Sequence, residues 1–509
     1  MMRALNRPMI TLSIMLATIM QTLDSTIANV ALPHMQGTLS ASQDQIAWVL
    51  TAYIVAAAIA TPLTAWLVDR FGEKTVFLAS VTGFTAASAM CGMSDSLGQI
   101  VASRLLQGVF GAALVPMSQM VIMEINPPEK QGQAIAVWSM GVTAGPILGP
   151  TLGGLLTDSY NWRWVFFINI PIGALAGYGI WRYLRPARGV RRMQFDSFGF
   201  ASLSLGVGAL QMLLDRGEQN DWFSSAETWT EAIVMIIAFT YFIAHTVLSR
   251  ADKSFLDYRL LKDGNYVTGL LLFFTVGLVL FGSRVLLPTM LETLLDYPVT
   301  LTGLVTAPSS IGTMLSMLVA GRILGRVDTR LLLMIGFSIS ALALWQMTRY
   351  SLDLSEGDII WPGVLQGIGT GMVFVPLSAA AFATLRPEMR AQGTAIFSLV
   401  RNIGASIGIS LVQTVLVRGT VSTHAALVEH VTYANPAWNN PVVAAAYDTA
   451  RPSGAAALDA MITQQSSMIA YVNDFHLMLY LTLAVIPLAL LLKTPKRAGG
   501  PVDSSAVLD

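Results

Sequence analysis

Two charged residues stand where charge is costly. Asp24 lies in an apolar run at 9–33 and Arg104 in another at 99–123. A charge at membrane depth costs roughly 2.5–3.5 kcal/mol on insertion scales, so Asp24 has to be neutral, paired or facing water. At about 1.5 Å per residue, Asp24 sits about 13 Å below the outer end of its run and Arg104 about 8 Å below the outer end of its own. Those depths suit a shared polar cluster. One reading is a buried structural ion pair. The other is a proton site, in which pairing with Arg104 favours the ionised carboxylate, burial favours the neutral acid, and access from either side tips the balance.

A second pattern concerns backbone rather than charge. In "GVTAGPILGPTLGG", Gly141, Gly145, Gly149 and Gly153 recur every fourth residue, Pro146 and Pro150 follow one step behind, and Gly154 ends the stretch. Such spacing stacks glycines on one helix face and lets a neighbouring helix reach backbone contact, while prolines remove hydrogen bonds and permit bending. Static close packing accounts for the pattern; so does a hinge and seal at an interface that moves. Further candidates are Asp69, Arg70, Gly72 and Lys74 in a short loop, as helix-end clamps or solvated charges. Arg401, at membrane depth, would attract anionic substrates or pair with a carbonyl or carboxylate across the cavity, and Arg284, also at membrane depth, would alter substrate choice. Glu124 and His245, near helix ends, suit snorkelling or capping.

The elements that position these residues follow from composition. Of 509 residues, 54% are hydrophobic and 12% charged, about half the charged share of a soluble domain, and mean hydropathy is +0.60. This is an integral membrane protein. A net charge of zero argues against nucleic-acid binding. One cysteine, Cys91, excludes an intramolecular disulfide, and five scattered histidines without a paired ligand motif argue against a membrane enzyme. No GxxxxGK[ST] loop is present, so energy has to come from an ion gradient.

Runs of the roughly 20 residues that a bilayer requires fall at 9–33, 46–68, 75–93, 99–123, 133–157, 163–184, 197–214, 229–249, 265–290, 300–321, 331–349, 357–383, 392–417 and 474–492, fourteen in all. The loops on the side of the termini collect most of the 30 lysines and arginines, including Arg182, Arg185, Arg188, Arg191 and Arg192. Positive residues stay inside, so both termini are expected in the cytoplasm. The first run, although preceded by Arg3 and Arg7, lacks a cleavage site and reads as a retained helix. The chain also repeats itself. "LQGVFGAALVPMS" at 106–118 returns as "LQGIGTGMVFVPLS" at 365–378, and "PPEKQGQAIAVWSMGVTAG" at 127–145 as "RPEMRAQGTAIFSLVRNIG" at 386–404. Duplicated six-helix bundles are a transporter architecture. The expected organisation is a bundle at 1–190, two inserted helices at 191–262, and a second bundle at 263–509 that includes an outer loop at 418–473 with helix-like stretches at 423–432 and 454–470.

These residues resemble a family. "LDSTIANVALP" at 23–33, "WLVDRFGEKTVFL" at 66–78, "RLLQGVFGAALVP" at 104–116, the glycine stretch, "NWRWVFFINIPIG" at 161–173 and "ITQQSSMIAYVNDF" at 462–475 are similar, in order, to the motifs of the fourteen-helix drug:proton antiporter branch of the major facilitator superfamily, EmrB type. The resemblance implies an all-α major facilitator fold and export of hydrophobic drugs or toxic small molecules from the inner membrane. It implies a proton gradient in place of any cofactor, and a possible periplasmic adaptor and outer-membrane channel as partners. It places proton coupling at Asp24 and Arg104, gating at the loop and glycine residues, and a substrate cavity around Asn29, Gln107, Arg284 and Arg401. Departures are Ala65 and Glu73 in the first loop motif, Gly325 in the loop "GRILGRVD", and Arg284, which is outside the pattern. The competing reading is a flippase for a lipid or cell-envelope precursor.

Overall fold

The computed structural model describes residues 6–185, 195–248, 255–386, 389–431, 440–448 and 450–492. Among them the regular structure is helical, apart from one isolated bridge between Leu324 and Val327. The helices are α1 (Arg7–Thr38), α2 (Gln43–Ala60), α3 (Leu63–Phe71), α4 (Glu73–Gly92), α5 (Leu97–Gly111), α6 (Leu114–Ile125), α7 (Pro128–Ser159), α8 (Trp164–Phe167), α9 (Asn169–Tyr183), α10 (Ser197–Arg216), α11 (Ala226–Leu248), α12 (Gly264–Thr293), α13 (Val299–Ile323), α14 (Thr329–Met347), α15 (Glu356–Ala383), α16 (Arg390–Glu429), α17 (Pro441–Ala446) and α18 (Pro452–Val485).

Local chemistry sets these boundaries. Ser42 with Gln45 and Ser355 with Asp358 form capping boxes, while Ser96, Asp196, Asp263 and Asp328 accept hydrogen bonds from first-turn N–H groups. Pro62, which has no N–H to donate, separates α2 from α3, and the two halves of that span are bent by 55°. Twelve spans among the described residues are long and apolar enough to cross a membrane, and the bent pair makes a thirteenth. At 32 residues, α7 extends roughly 48 Å and completes the expected fourteen.

The outer segment departs from expectation. The stretches at 423–432 and 454–470 are not separate helices. Through Glu429, the first belongs to α16, which runs unbroken for 40 residues, and the second to the 34-residue α18. Gly419 lies against Ala470, and His424 pairs with Asp459 at 3.1 Å. The two helices therefore project together beyond the bundle. Residues 432–439 and 449, and the basic positions Arg188, Arg191 and Arg192, lie outside the described residues.

Packing repeats the sequence duplication. α1 lies on α7 and α12 on α16. Gly145 and Gly149 abut Thr22, Leu23 and Thr26 of α1, and their repeat equivalents Gly404 and Gly408 abut the backbone of Phe274 and Leu278 in α12. The two halves meet along two seams. At one, α7 packs on α13, where Gly321 meets Ala136 and the Gly132 carbonyl. At the other, α16 touches α3 and α6, and α10 lies between α2 and α16, with α11 outside it. Gly208 of α10 faces Ile59, Asp215 accepts a hydrogen bond from Thr51, and Gln211 accepts one from Ser406 at 2.9 Å.

On the side of the termini, one hydrophobic core joins both halves, from Ile14, Phe77, Met120 and Trp138 to Met317, Phe374, Leu377 and Phe397. On the far side the core is split. One cluster holds only first-half residues such as Leu23, Ile27, Val49 and Phe166, and another only second-half residues such as Leu286, Met290, Leu344 and Phe475. The cleft between the halves thus opens toward the far side.

Candidate functional site

The first half buries a polar cluster at mid-depth. α1 supplies Asp24, α5 supplies Arg104 and Gln107, α9 supplies Asn169 and α4 supplies Ser88, all fully buried. The Arg104 Nη1 donates to Asp24 Oδ2 at 2.7 Å, and Gln107 Nε2 and Asn169 Nδ2 donate to Oδ1 at 2.8 and 2.7 Å. Three donors from two helices, α5 and α9, satisfy the carboxylate, as a buried charge requires.

The guanidinium is held as firmly. Its Nε donates to the Val49 carbonyl at 2.9 Å, its Nη1 to Gln107 Oε1 at 2.9 Å, and it lies 4.4 Å from the centroid of the Tyr53 ring. This planar fork can serve several acceptors while facing an aromatic ring, which a lysine would not. Asn169 also donates to Ser88, whose hydroxyl donates to the Phe166 carbonyl at 2.9 Å. Gln21 donates to the Tyr53 hydroxyl at 3.0 Å and links the cluster toward the polar face of α1.

The structure thus brings Asp24 and Arg104 together, as their depths predicted. It moves Gln107, expected to line a substrate cavity, into the same sealed cluster, because both ends of its amide are taken by the ion pair. Asn29, by contrast, is exposed on α1. It continues the face that carries Thr18, Gln21 and Ser25, at the i, i+3 and i+4 spacing of one helix stripe. Sequence reasoning missed Asn169. It was legible only as part of "NWRWVFFINIPIG", an element signature in which an asparagine at the start of a helix reads as a cap.

The glycine stretch lies elsewhere than expected. Gly141, Gly145, Gly149 and Gly153 face α1 within the same bundle, not the other half. The reason is steric: a Cβ at Gly145 would come within 2.5 Å of the Leu23 backbone nitrogen, and one at Gly153 within 3.1 Å of the Ile27 carbonyl oxygen. Gly154 meets nothing within 4 Å. Cross-half contact is made instead by Gly132 and Ala136 of α7. The side chains of Pro146 and Pro150 lie outside the described residues.

In the loop between α3 and α4, Gly72 adopts φ +82°, a left-handed conformation that favours glycine and turns the chain between two helices. Lys74 reaches across to the Trp181 carbonyl at 2.5 Å, clamping the end of α9. Arg70 is exposed in the last turn of α3, and Asp69 is half-buried. Glu73, where the motif has a basic residue, hydrogen-bonds Glu124 at the end of α6, so Glu124 belongs to an acid pair and does not merely snorkel. Gly325 turns the corresponding second-half loop with φ +88°. His245 ties the end of α11 to Asp196, the cap of α10, at 2.9 Å.

In the second half, half-buried Arg284 has no hydrogen-bond or ion-pair partner among the described residues. The Arg401 guanidinium hydrogen-bonds the side chain of its neighbour Asn402, at 3.2–3.3 Å. Among the described residues neither meets a carboxylate.

A duplicated bundle with a cleft between its halves and a buried ion pair in one of them defines a membrane transporter, and the family model for the Major Facilitator Superfamily matches residues 14–409. The chain belongs to that family. Within it, the chain falls with the EmrB-type transporters. It is 35% identical over 501 residues to the multidrug export protein EmrB of Escherichia coli K12, covering 96% of each chain. It is 34% identical over 502 residues to the fatty acid resistance protein FarB of Neisseria gonorrhoeae, covering 96% of this chain and 97% of that one. The fold is similar to that of the human organic anion transporter MFSD10, with a TM-score of 0.57 and 14% identity over 94% of this chain and 99% of the other.

Proposed function

We propose that this protein exports hydrophobic compounds, drugs among them, in exchange for protons. The observation that carries the reading is the Asp24–Arg104 pair, a carboxylate at membrane depth held by removable donors in a bundle that borders a one-sided cleft. The names of the relatives, multidrug export and fatty acid resistance, point the same way.

For Asp24 to take a proton, Arg104 has to let go. Its guanidinium then keeps the Val49 carbonyl and Gln107 Oε1 as acceptors, so the release does not strand a charge. A neutral Asp24 loosens the link between α1 and α5, and α1 also carries the polar stripe of half-buried Gln21 and Ser25 and exposed Asn29, the face we assign to substrate. Proton and substrate thereby compete through one helix. Termini in the cytoplasm fit the lysine and arginine distribution. The projecting ends of α16 and α18 offer a surface outside the bilayer suited to a periplasmic adaptor that continues the route to an outer-membrane channel.

Arg284 and Arg401 place positive charge in the second half with no carboxylate among the described residues to neutralise it, which favours anionic or neutral amphiphiles over strong cations. The test is proton movement in inside-out vesicles on addition of candidate compounds. Substrate-dependent proton release is expected in the intact protein and lost in Asp24→Asn. Release that persists unchanged in Asp24→Asn makes the pair structural. No proton movement with any compound overturns the antiport reading in favour of a lipid or envelope-precursor flippase.

A further inference from the structure

The second half holds another intramembrane carboxyl, in opposite surroundings. Asp474 lies in α18, is fully buried, and neither of its oxygens has a hydrogen-bond partner among the described residues. Its neighbours along α18, Tyr471, Phe475 and Met478, belong to an apolar core completed by Leu286 and Met290 of α12, Leu344 and Met347 of α14, and Val412 of α16.

Most titratable and charged groups on the surrounding elements have other engagements; Arg284 of α12 has no partner among the described residues and Arg401 of α16 bonds Asn402, and neither forms an ion pair with Asp474. Tyr471 is hydrogen-bonded with Thr293 of α12 at 3.4 Å, and it is the group that senses the charge of Asp474. Tyr350, beyond α14, packs its ring on Phe475, and Arg349 lies over Trp345. Arg418 of α16 pairs with Asp221, Glu292 of α12 is exposed, and His476 bonds the Val472 carbonyl. No cation forms an ion pair with Asp474 among the described residues.

Asp24 has three donors, whereas Asp474 has none. An ionised carboxylate with neither donor nor counter-charge is strongly disfavoured in an apolar interior, whereas a neutral acid buries a single O–H. We propose that Asp474 is a second proton-binding site, loading and releasing a proton as the second half opens and closes. It sits in the core that faces the far-side opening, about 14–15 Å of helix from the exposed Gln465 and Gln464. On release the carboxyl O–H bond breaks and the proton passes to water; on loading it re-forms from water on the open side. The proposal builds on the proton-coupled reading but does not depend on Asp24.

The experiment is infrared difference spectroscopy of the full-length protein in lipid, stepped from neutral to alkaline pH. A protonated-carboxyl carbonyl band that disappears on the step is expected in the parent and in Asp24→Asn, and is absent from Asp474→Asn. Identical spectra for the parent and Asp474→Asn overturn the proposal. Should Asp474→Asn fail to fold, Asp474→Glu serves: the band has to shift in frequency, and an unshifted band overturns the assignment. The readout needs no substrate, so failure of antiport in vesicles and failure of this site give separate results.

Discussion

Asp24 and Arg284 illustrate two fates of charge in an apolar span. Asp24 is neutralised inside its own bundle, so its charge says nothing directly to substrate. Arg284 has no such partner among the described residues, and on the function proposed above its charge acts on the cargo. Arg284→Gln is therefore expected to lower resistance to anionic amphiphiles several-fold more than resistance to neutral ones, measured as growth inhibition of a hypersensitive strain; an equal loss for both would remove Arg284 from substrate selection. Residues of this kind were legible in the sequence because a lone charge in an apolar run demands a partner, and depth counting supplied Arg104 for Asp24. Gln107 and Asn169 were not placed correctly. An uncharged amide carries no comparable demand, and only the geometry shows that both donate to one oxygen.

The glycine helix shows what spacing can and cannot say about an element. The every-fourth-residue pattern in α7 fixed a face for close approach, and that face exists. Which helix lies on it depends on the arrangement of the bundle, and the partner is α1, with the same contact repeated by Gly404 and Gly408 in α16. Gly145→Ala is expected to destabilise the purified protein by about 1–3 kcal/mol through overpacking, while Gly154→Ala, with open space beside it, is neutral or slightly stabilising. Thermal unfolding in detergent distinguishes them. The inserted pair has its own fastening. Burial opposes ionisation of Asp196, but the N–H groups of Gly199 and Phe255 and the neighbouring His245 outweigh it and hold the carboxyl below the usual carboxylate range. A lowered folded value means that the contribution is complete above the unfolded value, about 4, and fades as pH falls through the folded one. The stability gap between parent and Asp196→Asn should be constant near neutrality and close below about pH 4; a gap that widens on acidification would contradict the assignment.

At the scale of the molecule, the fourteen runs, the duplication and the fold were all readable, because hydropathy and a repeat offset by 259 residues, as from Leu106 to Leu365, survive in one dimension. The state of the cleft was not, since it depends on which buried residues touch across the seams. With one core joining the halves near the termini and two separate cores beyond, Asn29→Cys should react with a membrane-impermeant maleimide from the side opposite the termini, and Ser139→Cys, fully buried, should not. Cys91 is buried and gives a low background. Equal labelling of both positions would mean that the closed side is open in the membrane.

The position of α10 between α2 and α16 bears on where cargo goes when it leaves. An apolar compound that slips sideways out of a cleft dissolves in the same bilayer and diffuses back, so the work of moving it is wasted. Here one lateral exit is walled by α7 against α13 and the other by α10. A molecule leaving this cleft is directed into water, or into whatever stands over the far-side mouth, and because that delivery runs against the solubility of an oily compound it has to be coupled to a source of free energy.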